Sequence, residues 1–200
     1  MSEPRIIFAT GNPNKMREIR EIFADSAQTI LSIKEAGICS DPEENGRSFS
    51  ENAMIKAKAV HRLCPNDIVM ADDSGLVVDY LNGEPGIYSA RWMGRETPYS
   101  EKNAALLRRL EGVKGHARSA RFTAAIACIL PDGRQLITEA DMEGEVAEMP
   151  AGTNGFGYDP IFYLPEIGKC AAQLSEEEKN AISHRGKALR KMRELLKDNL

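Results

Sequence analysis

The feature that most constrains this chain is its opening. Ile6-Ile7-Phe8-Ala9, a short apolar run with β-branched residues, stops at Gly11-Asn12-Pro13-Asn14, and Met16, Ile19, Ile22 and Phe23 then fall on one helical stripe. Arg17, Glu18, Arg20 and Glu21 lie outside that stripe. A buried strand running through a turn into an amphipathic helix commits the fold to the α/β class.

The pattern continues. Ser48 with Glu51 spells a capping box for an alanine-rich helix that runs to about Leu63 and carries Asn52 and Lys56 on one face. Asp67-Ile68-Val69-Met70-Ala71 reads as a second buried strand, ending in Asp72-Asp73-Ser74-Gly75, with Leu76 to Tyr80 extended before an Asn82-Gly83 turn. Thr97-Pro98 starts a helix that ends near Gly112, and Ala120 to Leu130 with Gln135 to Ala140 flank a hairpin turn at Pro131-Asp132-Gly133-Arg134. Pro150 to Pro160 is too glycine-rich for regular structure, and Ser175 with Glu178 forms a second capping box ahead of a C-terminal helix broken near Ser183 or Gly186. No repeat, linker or shift in composition divides the 200 residues, so one α/β domain spanning 1–200, in two lobes, is the expected organisation.

Charge and composition narrow the partners. A net charge of -4 argues against a nucleic-acid polymer and leaves room for a local basic pocket that binds a small anion. The longest apolar run, Ala124 to Leu130, falls far short of the roughly 20 residues that a membrane helix needs. Met1-Ser2-Glu3-Pro4-Arg5 has no leader character, which sets the cytoplasm as the expected location. Cys39, Cys64, Cys128 and Cys170 are too scattered for a metal cluster or a disulfide framework, and Cys128 reads as a small buried hydrophobe.

Four segments can carry chemistry. Thr10, Gly11, Asn12, Pro13, Asn14 and Lys15 join a strand to a helix N-terminus, which serves equally as a plain turn or as an anion site; no Walker sequence is present. Asp72 and Asp73 follow a buried run, where they are either a solvated turn or a pair that holds a cation and orients a water. Both can face one site only if the strand has ended and the chain turns. Glu43-Glu44 offers further carboxylate oxygen from a loop. Gly155-Phe156-Gly157-Tyr158-Asp159 lets backbone approach something flat, or covers the core, and Glu178-Lys179-Asn180 with Ser183-His184-Arg185 gathers cations on a helix.

Together these segments resemble the Ham1/RdgB-type inosine triphosphate pyrophosphatases. The matching elements, in the family's order, are Thr10-Gly11-Asn12-x-x-Lys15, Ser48-Phe49-x-Glu51-Asn52-Ala53-x-x-Lys56-Ala57, Ala71-Asp72-Asp73-Ser74-Gly75-Leu76, Gly86-Ile87-Tyr88-Ser89-Ala90-Arg91, Gly155 to Pro160, and Glu178 to Arg185. The resemblance implies a central mixed β-sheet flanked by helices, a Mg²⁺ cofactor, a small nucleotide substrate and a homodimer. It also implies Thr10 to Lys15 as the triphosphate loop, Lys56, Arg91 and Lys179 as phosphate contacts, and Glu44 with Asp73 at the metal. Asp73 is implied as proton acceptor with Asp72 beside it, Ser74 as a neighbour of the substrate, and Phe156, Gly157, Tyr158, Asp159, His184 and Arg185 as the base pocket. Gln173 stands where many relatives carry an acid, and Cys170 replaces a common threonine. The expected reaction is hydrolysis of dITP, ITP and XTP to the monophosphate and pyrophosphate. A broader pyrophosphatase of Maf type and a nucleotide-binding regulator that does not hydrolyse are the alternatives.

Overall fold

The structure, a computed structural model, describes residues 5–24 and 28–199, so Met1 to Pro4 of the leader reading lie outside the described residues. In chain order the elements are β1 (Ile6–Phe8), α1 (Pro13–Ile22), β2 (Ile30–Ser32), α2 (Phe49–His61), β3 (Ile68–Val78) and α3 (Tyr99–Arg109). They continue as β4 (Ser119–Ile129), β5 (Gln135–Val146), β6 (Phe162–Leu164), β7 (Lys169–Cys170), α4 (Glu176–Ile182) and α5 (His184–Lys197). The strands form one seven-stranded sheet in the order β2-β1-β3-β4-β5-β6-β7. β1 pairs in parallel with β2 and β3, whereas β6 pairs antiparallel with β5 and β7, so the sheet is mixed, as expected. No helix among the described residues is long and apolar enough to cross a membrane.

Local chemistry sets the helix ends. The Asn12 side-chain oxygen accepts from the N–H groups of Asn14 and Lys15, at 2.9 and 3.3 Å, and Pro13 takes the first helical position, where its missing N–H is no loss. Pro13 and Asn14, which read from sequence as turn, are therefore the first turn of α1. Ser48 caps α2 through the Glu51 N–H, but the Glu51 carboxylate reaches one residue further back than a capping box requires, to the Arg47 N–H at 2.7 Å. Ser175 and Glu178 close their box in both directions, and the C-terminal helix breaks at Ser183. Gln173 accepts from the Cys170 N–H at 2.8 Å, a role that a carboxylate at that position could also fill.

The chain divides into two compact units, one comprising Met1–Asp73, Ala124–Ala140 and His184–Leu200, the other Ser74–Thr123 and Asp141–Ser183. In the first, Ile6, Phe8, Ile68, Met70, Ile126 and Cys128 pack against Met16, Ile19 and Phe23 of the α1 segment and Leu189 and Met192 of α5. The alternate residues Ile7, Val69, Ala71, Ala125 and Ala127 pack against Ala53, Ala57 and Val60 of α2. Helices thus cover both sheet faces of this unit, which explains why its strands read as continuous apolar runs. Cys128 is fully buried, and burial pushes its thiol up to about 12.

β3 departs from the sequence reading in a way that matters. The strand does not end at Ala71 but continues unbroken to Val78 through Asp72, Asp73, Ser74 and Gly75. Successive side chains on a strand point to opposite faces, so Asp72 takes the face of Ile68 and Met70, and Asp73 that of Val69 and Ala71. The two carboxylates serve separate environments.

The second unit packs Leu106 and Leu110 at α3 against Leu76, Phe122, Met142, Val146 and Phe162. Arg118, 6% exposed, binds its loops: Nε donates to the Val146 carbonyl at 2.6 Å, Nη1 to Leu110 and Val113 at 2.9 and 3.0 Å, and Nη2 to Ala147 at 2.7 Å. Each buried carbonyl left without a donor costs about 1–3 kcal/mol, so Arg118→Leu is expected to destabilise the protein by about 3 kcal/mol or more. Urea denaturation should show a lower midpoint at unchanged slope; a loss below about 1 kcal/mol would mean that water replaces the guanidinium.

Candidate active site

In the first unit the Thr10 to Lys15 segment leads from β1 into the N-terminus of α1. The Thr10 hydroxyl accepts from the Asn12 N–H at 3.1 Å, which with the Asn12 cap fixes the loop. The Asn12 cap takes up the N–H groups of Asn14 and Lys15, so what favours an anion there is the helix dipole together with the charge of Lys15.

Lys15 belongs to a chain of alternating charges. Its Nζ donates to Asp72 Oδ1, Arg185 Nε donates to Asp72 Oδ2 at 3.0 Å, and Arg185 Nη1 donates to Glu18 Oε2. The side chains of Asp72, Arg185 and Glu18 are at most 8% exposed. Burial works to raise the Asp72 carboxyl, but Arg185 and Lys15 hold it well below the ordinary carboxylate range. Burial likewise works to lower Arg185, and Asp72 and Glu18 outweigh it. For Lys15 burial wins, and its pKa lies below the usual ammonium value despite Asp72. Arg185, implied by the resemblance to serve the base pocket, is thus anchored by two carboxylates of its own unit. Glu18, placed outside the apolar stripe by periodicity, is buried as its ion partner; its spacing one turn after Lys15 is the signal that could have found it.

On the other face, Lys56 Nζ lies 2.8 Å from Asp73 Oδ1 and 3.5 Å from Glu44 Oε2. Of the Glu43-Glu44 pair, Glu44 is the half-buried one that meets Lys56, and Glu43 is exposed. The loop that carries Glu44 is tied to α2, because the Gly46 N–H donates to Asn52 Oδ1 at 2.9 Å. Asp73 Oδ2 is buried with no hydrogen-bond partner. Burial pushes the Asp73 carboxyl above its ordinary value, against the opposing pull of Lys56. An oxygen so placed, beside a second carboxylate, is a ready cation ligand. Among the described residues no group of three or more His, Cys, Asp or Glu could hold a metal alone. The donor set of Glu44 and Asp73 fits a Mg²⁺ ion, which commonly takes one or two carboxylates and completes its shell with phosphate oxygens and water.

In the second unit, Asp159 Oδ2 accepts from the Phe156 N–H at 2.8 Å and from Lys179 Nζ at 2.6 Å, and Lys179 sits 4.9 Å from the Phe156 ring centroid. The three form one cluster, in which Lys179 neutralises Asp159. Gly155 is required here: its φ is +72°, and a Cβ would overlap the Asp159 carboxylate. Tyr158 is buried and its ring meets Tyr99 edge-on at 5.2 Å. Arg91 stacks its guanidinium 5.0 Å from the Tyr88 ring centroid. Ser74 is half-buried in β3, and His184, in the first unit, is buried at the start of α5. A cavity of about 370 Å³ in the second unit, walled by Leu107, Leu110, Val113 and Arg118 among others, contains none of these residues.

Fold and site define an α/β protein with a strand-to-helix loop that carries Lys15 and with carboxylates held on separate sheet faces. The chain belongs to the Ham1 family, whose model matches residues 6–195. It is 46% identical over 192 residues to the dITP/XTP pyrophosphatase of Caldanaerobacter subterraneus subsp. tengcongensis, covering 96% of each chain. It is 46% identical over 194 residues to a dITP/XTP pyrophosphatase of Thermus thermophilus, covering 97% of this chain and 92% of that protein. Among solved structures, a HAM1 protein from Coxiella burnetii matches with a TM-score of 0.88 at 38% identity, over 98% of this chain and 99% of the other. The Staphylococcus aureus Ham1 protein matches with a TM-score of 0.87 at 39% identity, over 98% of this chain and 100% of the other.

The raised Asp73 carboxyl has a consequence for stability. Its folded pKa lies above the unfolded value of about 4, so the contribution present below that pH is lost as pH rises through the folded pKa. Asp73→Asn is therefore expected to raise the melting temperature of the metal-free protein at pH 7, with the gap closing as pH falls toward about 4. Thermal denaturation in chelator between those values checks this; a less stable variant at pH 7 would show that the Lys56 ion pair outweighs burial.

Proposed function

We propose that the protein hydrolyses the non-standard purine nucleoside triphosphates dITP, ITP and XTP to the nucleoside monophosphate and pyrophosphate. The names of its relatives support this reading, and one observation carries it: a buried Asp73 with one oxygen paired to Lys56 and the other unpartnered. A regulator that only binds nucleotide has no use for such a carboxylate, and a Maf-type enzyme is disfavoured by the relatives matched.

In-line attack at the α-phosphorus needs a positioned water and neutralised phosphate oxygens. The helix dipole behind the Thr10 to Lys15 loop, with Lys15, Lys56 and Arg91, neutralises the phosphates. The Asp73 carboxylate accepts the proton of the attacking water. A Mg²⁺ ion held by Glu44 and Asp73 would supply charge stabilisation for the leaving pyrophosphate. Asp72 acts differently from Asp73, as the anchor of Lys15. Phe156 stacks on the purine and Lys179 fixes that loop through Asp159. Hypoxanthine and xanthine carry an oxygen at C6 where adenine carries an NH₂, so donors such as His184 suit them and reject adenine. The enzyme acts on the cytoplasmic nucleotide pool as a homodimer.

Phosphorus NMR of a reaction with dITP and Mg²⁺ should show pyrophosphate and monophosphate; diphosphate with orthophosphate would reject the reaction class. Asp73→Asn should lower kcat by at least about 10²-fold, the lower end for loss of a general base. Near-normal turnover in that variant would move the chemistry away from Asp73. Arg185 acts through Asp72 and Lys15, so Arg185→Leu should lower kcat/KM for dITP and dATP by the same factor. A narrowed ratio between the two substrates would instead place its guanidinium on the base.

A further inference from the structure

One face of α3, outside every family motif, holds two candidate substrate loops of the second unit. Lys102 is 1% exposed; its Nζ donates to the Ala90 carbonyl at 2.7 Å and lies 4.9 Å from the Tyr99 ring centroid. The next residue, Asn103, donates from Nδ2 to the Gly157 carbonyl at 3.2 Å. Tyr158, packed edge-on against Tyr99, donates its hydroxyl to the Ser89 carbonyl at 3.0 Å. The Ser89 hydroxyl in turn accepts from the Leu76 N–H at 2.9 Å. The carbonyls of Ser89 and Ala90, the two residues before Arg91, are therefore each held by a buried side chain.

A cation is a costly donor to bury, since an amide or hydroxyl could hold one carbonyl with far less desolvation. Burial does pull the Lys102 ammonium below its usual pKa. What the ammonium adds is a strong charge-assisted hydrogen bond on a long stem, reinforced by the aromatic face, and hence a single geometry for the peptide ahead of Arg91.

We propose that Lys102 is a positioning residue that aims Arg91 at the substrate's phosphates through the Ala90 carbonyl, with Tyr158 holding the preceding peptide. The same helix face, through Asn103, steadies Gly157 of the base-side loop, so phosphate grip and base loop share one support. This rests on the reading of Arg91 as a phosphate contact.

A double-mutant cycle tests it on the full-length enzyme with dITP and Mg²⁺. Lys102→Met keeps the length of the side chain and removes its charge and donor. Arg91→Ala is expected to raise KM about tenfold and Lys102→Met about fivefold, with kcat within about twofold and the double variant no worse than Arg91→Ala alone. A residue that served stability alone would lower the melting temperature without masking by Arg91→Ala. Should Lys102→Met not fold, Tyr158→Phe removes only a hydroxyl and should raise KM with the same masking. If Arg91→Ala raises KM while the second substitution leaves it unchanged or multiplies the effect independently, the positioning role is overturned and the Arg91 reading stands. If Arg91→Ala leaves KM unchanged, both fall.

Discussion

The chemistry of the first unit depends on the pleat of β3. A turn after Ala71 would have brought Asp72 and Asp73 to one place, where two like charges resist ionising together. The strand instead runs straight through them, and the twofold alternation of its side chains assigns one carboxylate to each sheet face. Asp72 meets cations from α1 and α5, which pack on one face; Asp73 meets Lys56 from α2, on the other. Adjacent identical residues thereby acquire opposite electrostatics, one held firmly ionised and one pushed toward the neutral form. That division separates the anchoring of Lys15 from the proton-accepting role proposed for Asp73 without any difference in residue type.

The anchor is expensive to assemble. Removing one partner from a buried ion pair typically costs about 3–5 kcal/mol, because the survivor is left unpaired, whereas the intact pair adds little net stability. The chain Glu18, Arg185, Asp72, Lys15 alternates in sign, so each internal member has an opposite charge on either side. Apolar residues could have filled the same space. The network is better understood as fixing Lys15, and with it the first turn of α1, in one orientation.

Much of this is legible in the sequence, and what is not has identifiable physical reasons. Apolar runs and amphipathic stripes reveal the α/β class and the buried Cys128, because burial leaves a direct mark on residue type, whereas the C-terminal break could be narrowed only to Ser183 or Gly186 and the structure places it at Ser183. Asn12-Pro13 reads as turn because a capping residue and an N1 proline look the same in a turn and at a helix start; only the chain that follows decides. The continuation of β3 escapes a reading of the sequence because two aspartates and a glycine have poor strand propensity, and tertiary partners override it. Glu18 and Lys102 are hidden by the general rule that charges face water, which fails where a partner of opposite sign or a carbonyl waits inside. Strands of two or three residues, such as β2, β6 and β7, are too short to carry a period.

Charge balance in the first unit bears on how a triphosphate could be held at all. Lys15, Lys56 and Arg185 supply three positive charges, while Glu18, Glu44, Asp72 and Asp73 supply four negative ones, and ion pairs already join them to one another. A triphosphate brings roughly four more negative charges, which these side chains cannot offset without releasing partners. Lys56 shows the tension directly, since one ammonium serves both Asp73 and Glu44. Glu44 and Asp73 would hold a divalent cation, which would supply the positive charge that this cluster lacks and leave Lys56 to a phosphate oxygen. Glu44 and Asp73 are thus the members of this cluster whose negative charge a bound divalent cation would offset.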